Sequence, residues 1–550
     1  LAMPDENLFK KVAVKVPNRS GYDKSFHNLF TGKVGDLIPM VCEEVIPNHT
    51  ISMKIALSTQ LPPLATDTFM RVSQKVEAFF VPTRLLMQGY EKWITRNHTN
   101  IDPGDANLYI TPPVFRIPSE YLEPGSLSDY LGIMCSADTI GRAQQEFVKV
   151  SAFPYYAYML IWDEWYRNSM VQKSLFYDTL TDPNTFAYSA GAFRYLTPSS
   201  SFGYEINFGE TGNPSLYLMA DGSNPLSLRK RNFGLDYFAS ATPKPQNGDA
   251  SAIKIDTSGA TTDLTIAAIR SANAIQQFAE RQNLAGNRLV DFVKAQYGAN
   301  LADSIAQRPV LLGSSSFDVY SKGIYQTSNQ AGANLNNPYD GSVGARFGSA
   351  YAEGSDFIID NFTAQEPGYI MVLTSLVPRV TYATGLKRYL THYLTKDSQG
   401  DMANPILQSV GNQPIYSREL NDNALFGINN GGFDHVFGYS DRYAEFKSNL
   451  DEIHGLMREG SDLAAFGLQR AWNQAADVEI NTDFLEIPDD YMDQILAVNG
   501  EVSGFNFWTD SYIQCFESMP ISRYSIPTLQ DPAYEHGHSV VLDKGGVKID

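Results

Sequence analysis

The side chains of this sequence that could do chemistry are dispersed along the chain. His536 and His538 could share one face of a strand, but two imidazoles without a third ligand do not define a zinc site. Asp489 and Asp490 could offer oxygens to Ca²⁺, yet no EF-hand spacing surrounds them. No phosphate-binding loop, Gly-x-Ser-x-Gly elbow or His-Glu-x-x-His helix occurs. The sequence therefore predicts no enzyme, no cofactor and no resident metal.

Arg229, Lys230 and Arg231 form the tightest cationic cluster. Side chains of this kind bind phosphate groups, so the cluster is one candidate for facing nucleic acid. The alternative is a loop held by ion pairs to some of the 61 acidic residues of the chain. The sequence leaves both interpretations open.

The chain is acidic, with a formal net charge of −19, which argues against it coating nucleic acid by itself. Residues 451–550 hold 18 Asp and Glu against 5 Lys and Arg, whereas residues 1–35 hold 6 Lys and Arg against 3 acids. A solvated acidic surface with a mildly basic arm is one interpretation. The other is that the arm faces DNA through Lys10, Lys11, Lys15 and Arg19.

No linker divides the 550 residues, because Gly and Pro stand singly between short apolar runs. This pattern favours one loop-rich β architecture over residues 1–550. Residues 178–226 are rich in turn residues and are a candidate surface insertion, and residues 314–356 are a candidate extended interface loop. Apolar runs are too short to span a membrane, so no membrane partner is expected.

The strands that must carry these loops are visible as alternating patterns. Ile51, Met53, Ile55 and Leu57 alternate with small or polar residues, which predicts a half-buried strand. A second strand ends at Pro82, and the strongest late candidate covers residues 369–377. Strands do not alternate with regular helical patterns, so antiparallel pairing is expected.

Three helices are predicted within the β pattern. Residues 155–171 and 263–284 carry aromatic or aliphatic side chains at spacings of three and four, and Asp263 can cap the second helix. A third helix follows Gly286 and can end at Gly298. The aromatic stripes could serve as ligand platforms, but core or subunit packing is the preferred interpretation.

Six ordered blocks give the sequence a family resemblance. It resembles the major capsid proteins of the Microviridae, most closely the gokushovirus-like branch. The blocks are Asp36–Pro47, Phe79–Leu86, Tyr158–Asn168, Lys230–Pro243, the run from Ile275 to Pro309, and Phe437–Ser448 followed by His454–Arg458.

The resemblance implies a mainly β fold, an eight-stranded antiparallel jelly-roll sandwich with long loop insertions. It implies a structural protein of the virion that assembles in the host cytoplasm as a T=1 icosahedral homo-oligomer around circular single-stranded DNA. Implied partners are this genome, a small basic DNA-binding protein, other virion proteins and a host surface receptor, which residues 178–226 are expected to contact from outside.

The alternative from another class is a β-sandwich that binds or cleaves carbohydrate. Its support is an aromatic content of 12%. Glycoside hydrolysis needs two carboxylates across a cleft, a geometry that sequence spacing does not reveal. Assembly separates the two hypotheses, because a capsid subunit forms particles and a glycan-handling protein does not.

Overall fold

A computed structural model describes most of the chain, and every structural statement below concerns the residues it covers. These are residues 12–16, 19–87, 90–94, 112, 114–134, 147–176, 205–207, 221, 223–248, 266–325, 346–391, 412–425, 435–472, 479–497, 505–521, 538–543 and 546–549.

The described residues are mostly strand, with few helices. The strands are β1 (Val12–Val16), β2 (Ser20–Asp23), β3 (Phe26–Gly32), β4 (Ile38–Val45), β5 (His49–Gln60), β6 (Val72–Pro82), β7 (Val114–Pro118), β8 (Phe147–Ser151), β9 (Glu205–Asn207), β10 (Val310–Tyr325), β11 (Arg346–Ala364), β12 (Gly368–Pro378), β13 (Asn412–Tyr416), β14 (Val436–Asp441), β15 (Phe507–Met519), β16 (His538–Asp543) and β17 (Gly546–Ile549). The longer helices are α1 (Phe153–Ile161), α2 (Ile266–Ala285) and α3 (Leu289–Tyr297). Shorter helices are Tyr90–Ile94, Leu127–Tyr130, Asp422–Leu425, Ala444–Lys447 and Thr482–Leu485.

The central feature is one curled antiparallel sheet in the order β2–β15–β5–β11–β10–β6–β12–β4, with β3 also paired to β15. Strand β10 pairs with β6 over Val310–Val319 and with β11 over Tyr320–Tyr325, so it joins two four-stranded halves. One half is β3–β15–β5–β11, and the other is β10–β6–β12–β4. The predicted eight-stranded antiparallel jelly-roll architecture is confirmed.

The interior of the sandwich follows from the alternating pattern of its strands. Ile51, Met53, Ile55 and Leu57 of β5 are buried, while the residues between them are half-buried on the other face. They pack with side chains of β4, β6, β12 and β15 in one apolar cluster, which shows that the two halves face each other. The strands predicted to end at Pro82 and to cover 369–377 are β6 and β12.

The second face of the β6–β12 half is also covered. Phe79 and Val81 of β6 and Met371 of β12 point away from the sandwich and join a separate apolar cluster built around α1. Every side chain of α1 is buried except Pro154. A π-helical turn, Trp162–Tyr166, continues α1 and accounts for the rest of the predicted helix, which ends about five residues before the expected 171.

The other two predicted helices are also present. Helix α2 covers nearly the predicted span, although Asp263 lies outside the described residues. Helix α3 ends at Gly298, whose φ of 67° is the left-handed cap that favours glycine. Unlike α1, most of α2 is exposed.

Two predictions about loops meet different outcomes. The interpretation of 314–356 as one extended loop is wrong for residues 314–325 and 346–356, which belong to the long strands β10 and β11. Small residues such as Ser314, Ser315 and Ser316 suggested a loop, but they face solvent on a paired strand. Most of 178–226 lies outside the described residues.

Both ends of the chain meet in one sheet. Strand β1 pairs antiparallel with β16, which pairs with β17. The basic N-terminal strand therefore lies beside strands from the acidic C-terminal region. Within the described part of the chain, no helix is long and apolar enough to cross a membrane.

Candidate interaction surfaces

Arg19 acts as a clamp inside the subunit. Its guanidinium donates to the carbonyl oxygen and the Oδ1 of Asn48 at 2.7 and 2.6 Å, and to the Thr50 hydroxyl at 2.6 Å. It also donates to the carbonyl oxygen of Ser518 at 2.9 Å. The contacts fasten the turn before β5, where Asn48 has φ 64°, to the end of β15. A DNA-facing role for Arg19 stays a prediction, and a structural role is directly visible.

The cluster Arg229–Arg231 makes ion pairs within the subunit. Arg229 contacts Asp221 at 3.3 Å. Lys230 contacts Asp36 at 2.5 Å and also pairs with Asp489. These contacts match the ion-paired alternative raised by the sequence.

Arg231 makes the most ordered of these pairs. Its two terminal nitrogens donate to the carboxylate oxygens of Glu77 at 2.7 and 3.1 Å, and the Tyr166 hydroxyl donates to the same carboxylate. Burial raises the pKa of Glu77, but the Arg231 hydrogen bond and charge and then the Tyr166 hydrogen bond outweigh burial, so the pKa is lowered overall. The pair ties the π-helical turn to β6. A DNA-facing role for Arg229, Lys230 and Arg231 remains a prediction.

The other cationic candidates lie at the edge of the described chain. Lys10 and Lys11 are outside the described residues. Lys15 lies in β1 and pairs through its backbone with Ser539 of β16. The DNA-facing role of these lysines therefore also stays a prediction.

A buried polar cluster that sequence spacing did not reveal lies between β4 and β15. Ligand atoms of Glu43, Cys515 and Glu517 lie within 4.8 Å of one another. The ammonium of Lys24 approaches Glu43 at 2.9 Å and Glu517 at 3.2 Å, so a cation already sits between the two carboxylates. His49 contacts Glu517 at 3.1 Å. The residues come from four separate segments, which is why no local motif announces them.

The two carboxyls of this cluster are pushed apart in acidity. Burial raises the pKa of Glu517, but hydrogen bonds from His49, Glu43 and Cys515 and the charge of Lys24 outweigh it and bring the pKa to about 2. Burial and the hydrogen bond to Glu517 raise the pKa of Glu43. Glu43 therefore holds the shared proton, and the arrangement is a closed structural network rather than an open site.

Helix α2 presents the most exposed apolar surface of the described helices. Its side chains Ile266, Ile269 and Ile275 are 69%, 45% and 56% exposed. Its C-terminal end is anchored, because Asn283 donates to the Thr242 hydroxyl at 2.8 Å. The sequence predicted a packed stripe here, and the described part of the subunit does not supply the packing partner.

A concave surface opens between the edge strands β3 and β4 and is here named the β3–β4 groove. It has a volume of about 950 Å³. Exposed apolar side chains of Leu29, Met134 and Trp508 line it together with Asp129 and Asp510. Sequence analysis missed β3 and β15, although Trp508 and Tyr512 lie on the outer face of β15 at the even spacing of a strand.

Comparisons with known proteins agree with this architecture. The family described as "Capsid protein (F protein)" matches residues 11–528. The capsid protein VP1 of Chlamydia phage 1 is 25% identical, with 96% of this chain and 98% of that protein covered. The VP1 of Bdellovibrio phage phiMH2K is 25% identical over 82% of this chain and 85% of its own length. The VP1 of Spiroplasma virus 4 is 24% identical, covering 90% and 93%.

The matches extend along nearly the whole chain and nearly the whole of each relative, so they do not come from one shared motif. They include every block on which the resemblance was based, from Asp36 to Arg458. The predicted Microviridae relationship is confirmed. This chain belongs to the F-type capsid protein family of these phages.

Proposed function

We propose that this chain is the major structural subunit of a T=1 icosahedral shell that encloses a circular single-stranded DNA genome. The observation that carries the proposal is the family match over residues 11–528 on an eight-stranded sandwich. Jelly rolls are common in viral shells because their two sheets protect most strand edges. The role is structural rather than enzymatic, and the protein resides in the virion after assembly in the host cytoplasm.

Assembly is tested by purifying the chain and imaging it under negative stain while measuring particle mass. A T=1 shell contains sixty copies in equivalent positions, so particles of one size with about sixty times the subunit mass of 61.1 kDa are expected. A stable monomer or small oligomer under all assembly conditions would refute the proposal. The carbohydrate alternative predicts that outcome together with glycan binding.

The aromatic content that supported the carbohydrate alternative has a packing explanation. Tyr155, Tyr156 and Tyr158 of α1 and Phe115 of β7 are all buried in one cluster. Rings buried in this way cannot stack on a sugar. No specific observation among the described residues favours glycan binding over assembly.

The genome must be neutralised mainly by something other than this acidic subunit. A net charge of −19 repels phosphate at long range, so a small basic DNA-binding protein is proposed as the main counter-charge. The N-terminal lysines Lys10, Lys11 and Lys15 are proposed to add direct contacts. Other virion proteins complete the particle in this proposal.

The DNA proposal is tested by replacing these three lysines with Ala while keeping Arg19, because Arg19 also clamps β5 to β15. Removing one lysine from a phosphate lowers the salt slope of DNA binding by roughly one unit, so the variant should release DNA from particles at lower salt. The matched control is Lys54→Ala, which removes one positive charge from the exposed face of β5, where the amine lies 5.5 Å from the Phe357 ring. Equal retention by parent and triple variant at every salt concentration would remove this segment from the DNA-facing set.

Residues 178–226 are proposed to face outward and to contact the host surface receptor. Exposed loops carry binding functions more often than the framework that supports them. Limited proteolysis of intact particles should therefore cut within 178–226 before it cuts within 51–81, which covers most of β5 and β6. Earlier cleavage within 51–81 would contradict the assignment.

A further inference from the structure

The first half of α2 has a composition that water does not favour. Residues 266–275 contain seven Ile or Ala side chains and one charge, Arg270. None of the side chains from 266 to 278 is buried in the described structure. Helices that are apolar on several sides are normally enclosed by other protein. This segment is therefore short of a partner.

The shape of the exposed surface specifies what kind of partner is needed. Ile266 and Ile275 are separated by roughly two and a half helical turns, so their side chains leave opposite sides of the helix. A flat surface can cover one side at a time. A groove can contact both, which is how amphipathic helices are bound in many complexes.

The same chain carries such a groove. The β3–β4 groove has an apolar floor in which Leu29 and Met134 are 75% and 85% exposed. Among the described residues that line it there is no Lys or Arg, and its charged side chains are Asp129, Asp510 and Glu43. Glu43 is neutralised by Lys24, which leaves the two aspartates as the source of negative charge.

The charges of the two surfaces are complementary. Residues 266–297, which include α2 and α3, hold four basic side chains and two acidic ones. We propose that the first half of α2 of one subunit docks into the β3–β4 groove of a neighbouring copy. This inference rests on the proposed function, since a shell brings identical subunits into contact.

The arrangement has a geometric consequence. Helix and groove are different surfaces, so the contact is heterologous and each subunit gives one surface and receives the other. Such contacts close into rings, and rings are the elements from which a closed shell is built. An isologous contact between two α2 helices would end at a dimer.

Photo-cross-linking tests the inference directly. p-Benzoylphenylalanine replaces Ile269, and cross-linked peptides are mapped by mass spectrometry in whatever oligomer forms. Peptides from 26–31, 124–134 or 505–510 of a second copy are expected. The matched control places the cross-linker at Phe357, which is 61% exposed on the outer face of β11 and should not label the groove.

Other cross-linking outcomes are equally decisive. Cross-links to α2 of a second copy, to residues 249–265 of the same chain, or to a different surface would overturn the inference while leaving the shell intact. If the parent stays monomeric and no intermolecular cross-link forms, the proposed function and the inference both fall. The two failures are thus distinguishable.

Mixing variants tests the heterologous geometry. Ile269→Asp removes the helix surface, and Leu29→Asp removes the groove surface. Each variant alone should remain a folded monomer with the far-UV spectrum of the parent subunit. Their equimolar mixture retains one intact helix and one intact groove, so it should form a heterodimer and no particles. Particles from the mixture, or from either variant alone, would overturn the inference.

Discussion

Helices α1 and α2 teach different lessons although their sequences look alike. Both carry large apolar side chains at spacings of three and four, and both were expected to be packed. The first is buried against β6 and β12, and its continuation begins with Trp162, which is only 4% exposed. The second projects Ile266 and Ile275 into solvent. Periodicity thus shows which face of a helix will be covered, but not whether the covering group belongs to the same subunit.

The largest expected effect comes from emptying the α1 site. Trp162→Ala should lower the free energy of unfolding by about 3–5 kcal/mol, because it leaves a cavity under the helix and removes the indole hydrogen bond to the Lys230 carbonyl at 2.8 Å. Urea denaturation of the dissociated subunit measures the change. The matched variant on α2 is Phe278→Ala, whose ring is 48% exposed and should cost at most about 1.5 kcal/mol. Equal destabilisation of the two variants would erase the distinction between the helices.

Much of this distinction was beyond the sequence for a physical reason. The strands of the sandwich could be predicted because burial on one face imposes a period of two, which β5, β6 and β12 show. Most of β10 could not, because its serines and glycine carry no such signal and its pairing with β6 is nonlocal. The family blocks identified the capsid fold through resemblance. They did not reveal the Glu43–Glu517 network, whose members are distant in sequence.

The ion pair beneath the π-helical turn gives a smaller and pH-dependent effect. Because the pKa of Glu77 is lowered in the folded subunit, its ionised form adds stability that is present above the unfolded pKa of about 4.3 and disappears as pH falls through the folded value. Glu77→Gln should therefore cost about 1.5–3 kcal/mol at pH 7. The difference from the parent should shrink as the pH is lowered toward 3.

Thermal unfolding at a series of pH values measures this effect. The matched control is Glu280→Gln on α2, where the carboxylate accepts from Gln276 at 2.8 Å and has no buried arginine against it among the described contacts. The control should follow the parent at all pH values within experimental error. A Glu77 variant that tracks the parent curve in parallel from pH 7 to pH 3 would show that the pair does not distinguish the α1 region.

The smallest effect on the subunit should come from the exposed face of α2, and it is the most informative about assembly. Ile269→Ser and Ile275→Ser replace side chains that the described subunit leaves largely in water, so each should change the free energy of unfolding by no more than about 0.5 kcal/mol. The same changes remove apolar area that a neighbouring copy would bury, and area of this kind contributes about 25 cal/mol per Å². A contact repeated around a closed shell multiplies that effect, because every subunit donates the helix once. Particle yield should therefore fall steeply while urea unfolding of the monomer stays unchanged. If either serine variant destabilises the monomer as strongly as Trp162→Ala, then α2 is packed within its own subunit, and the contrast with α1 disappears.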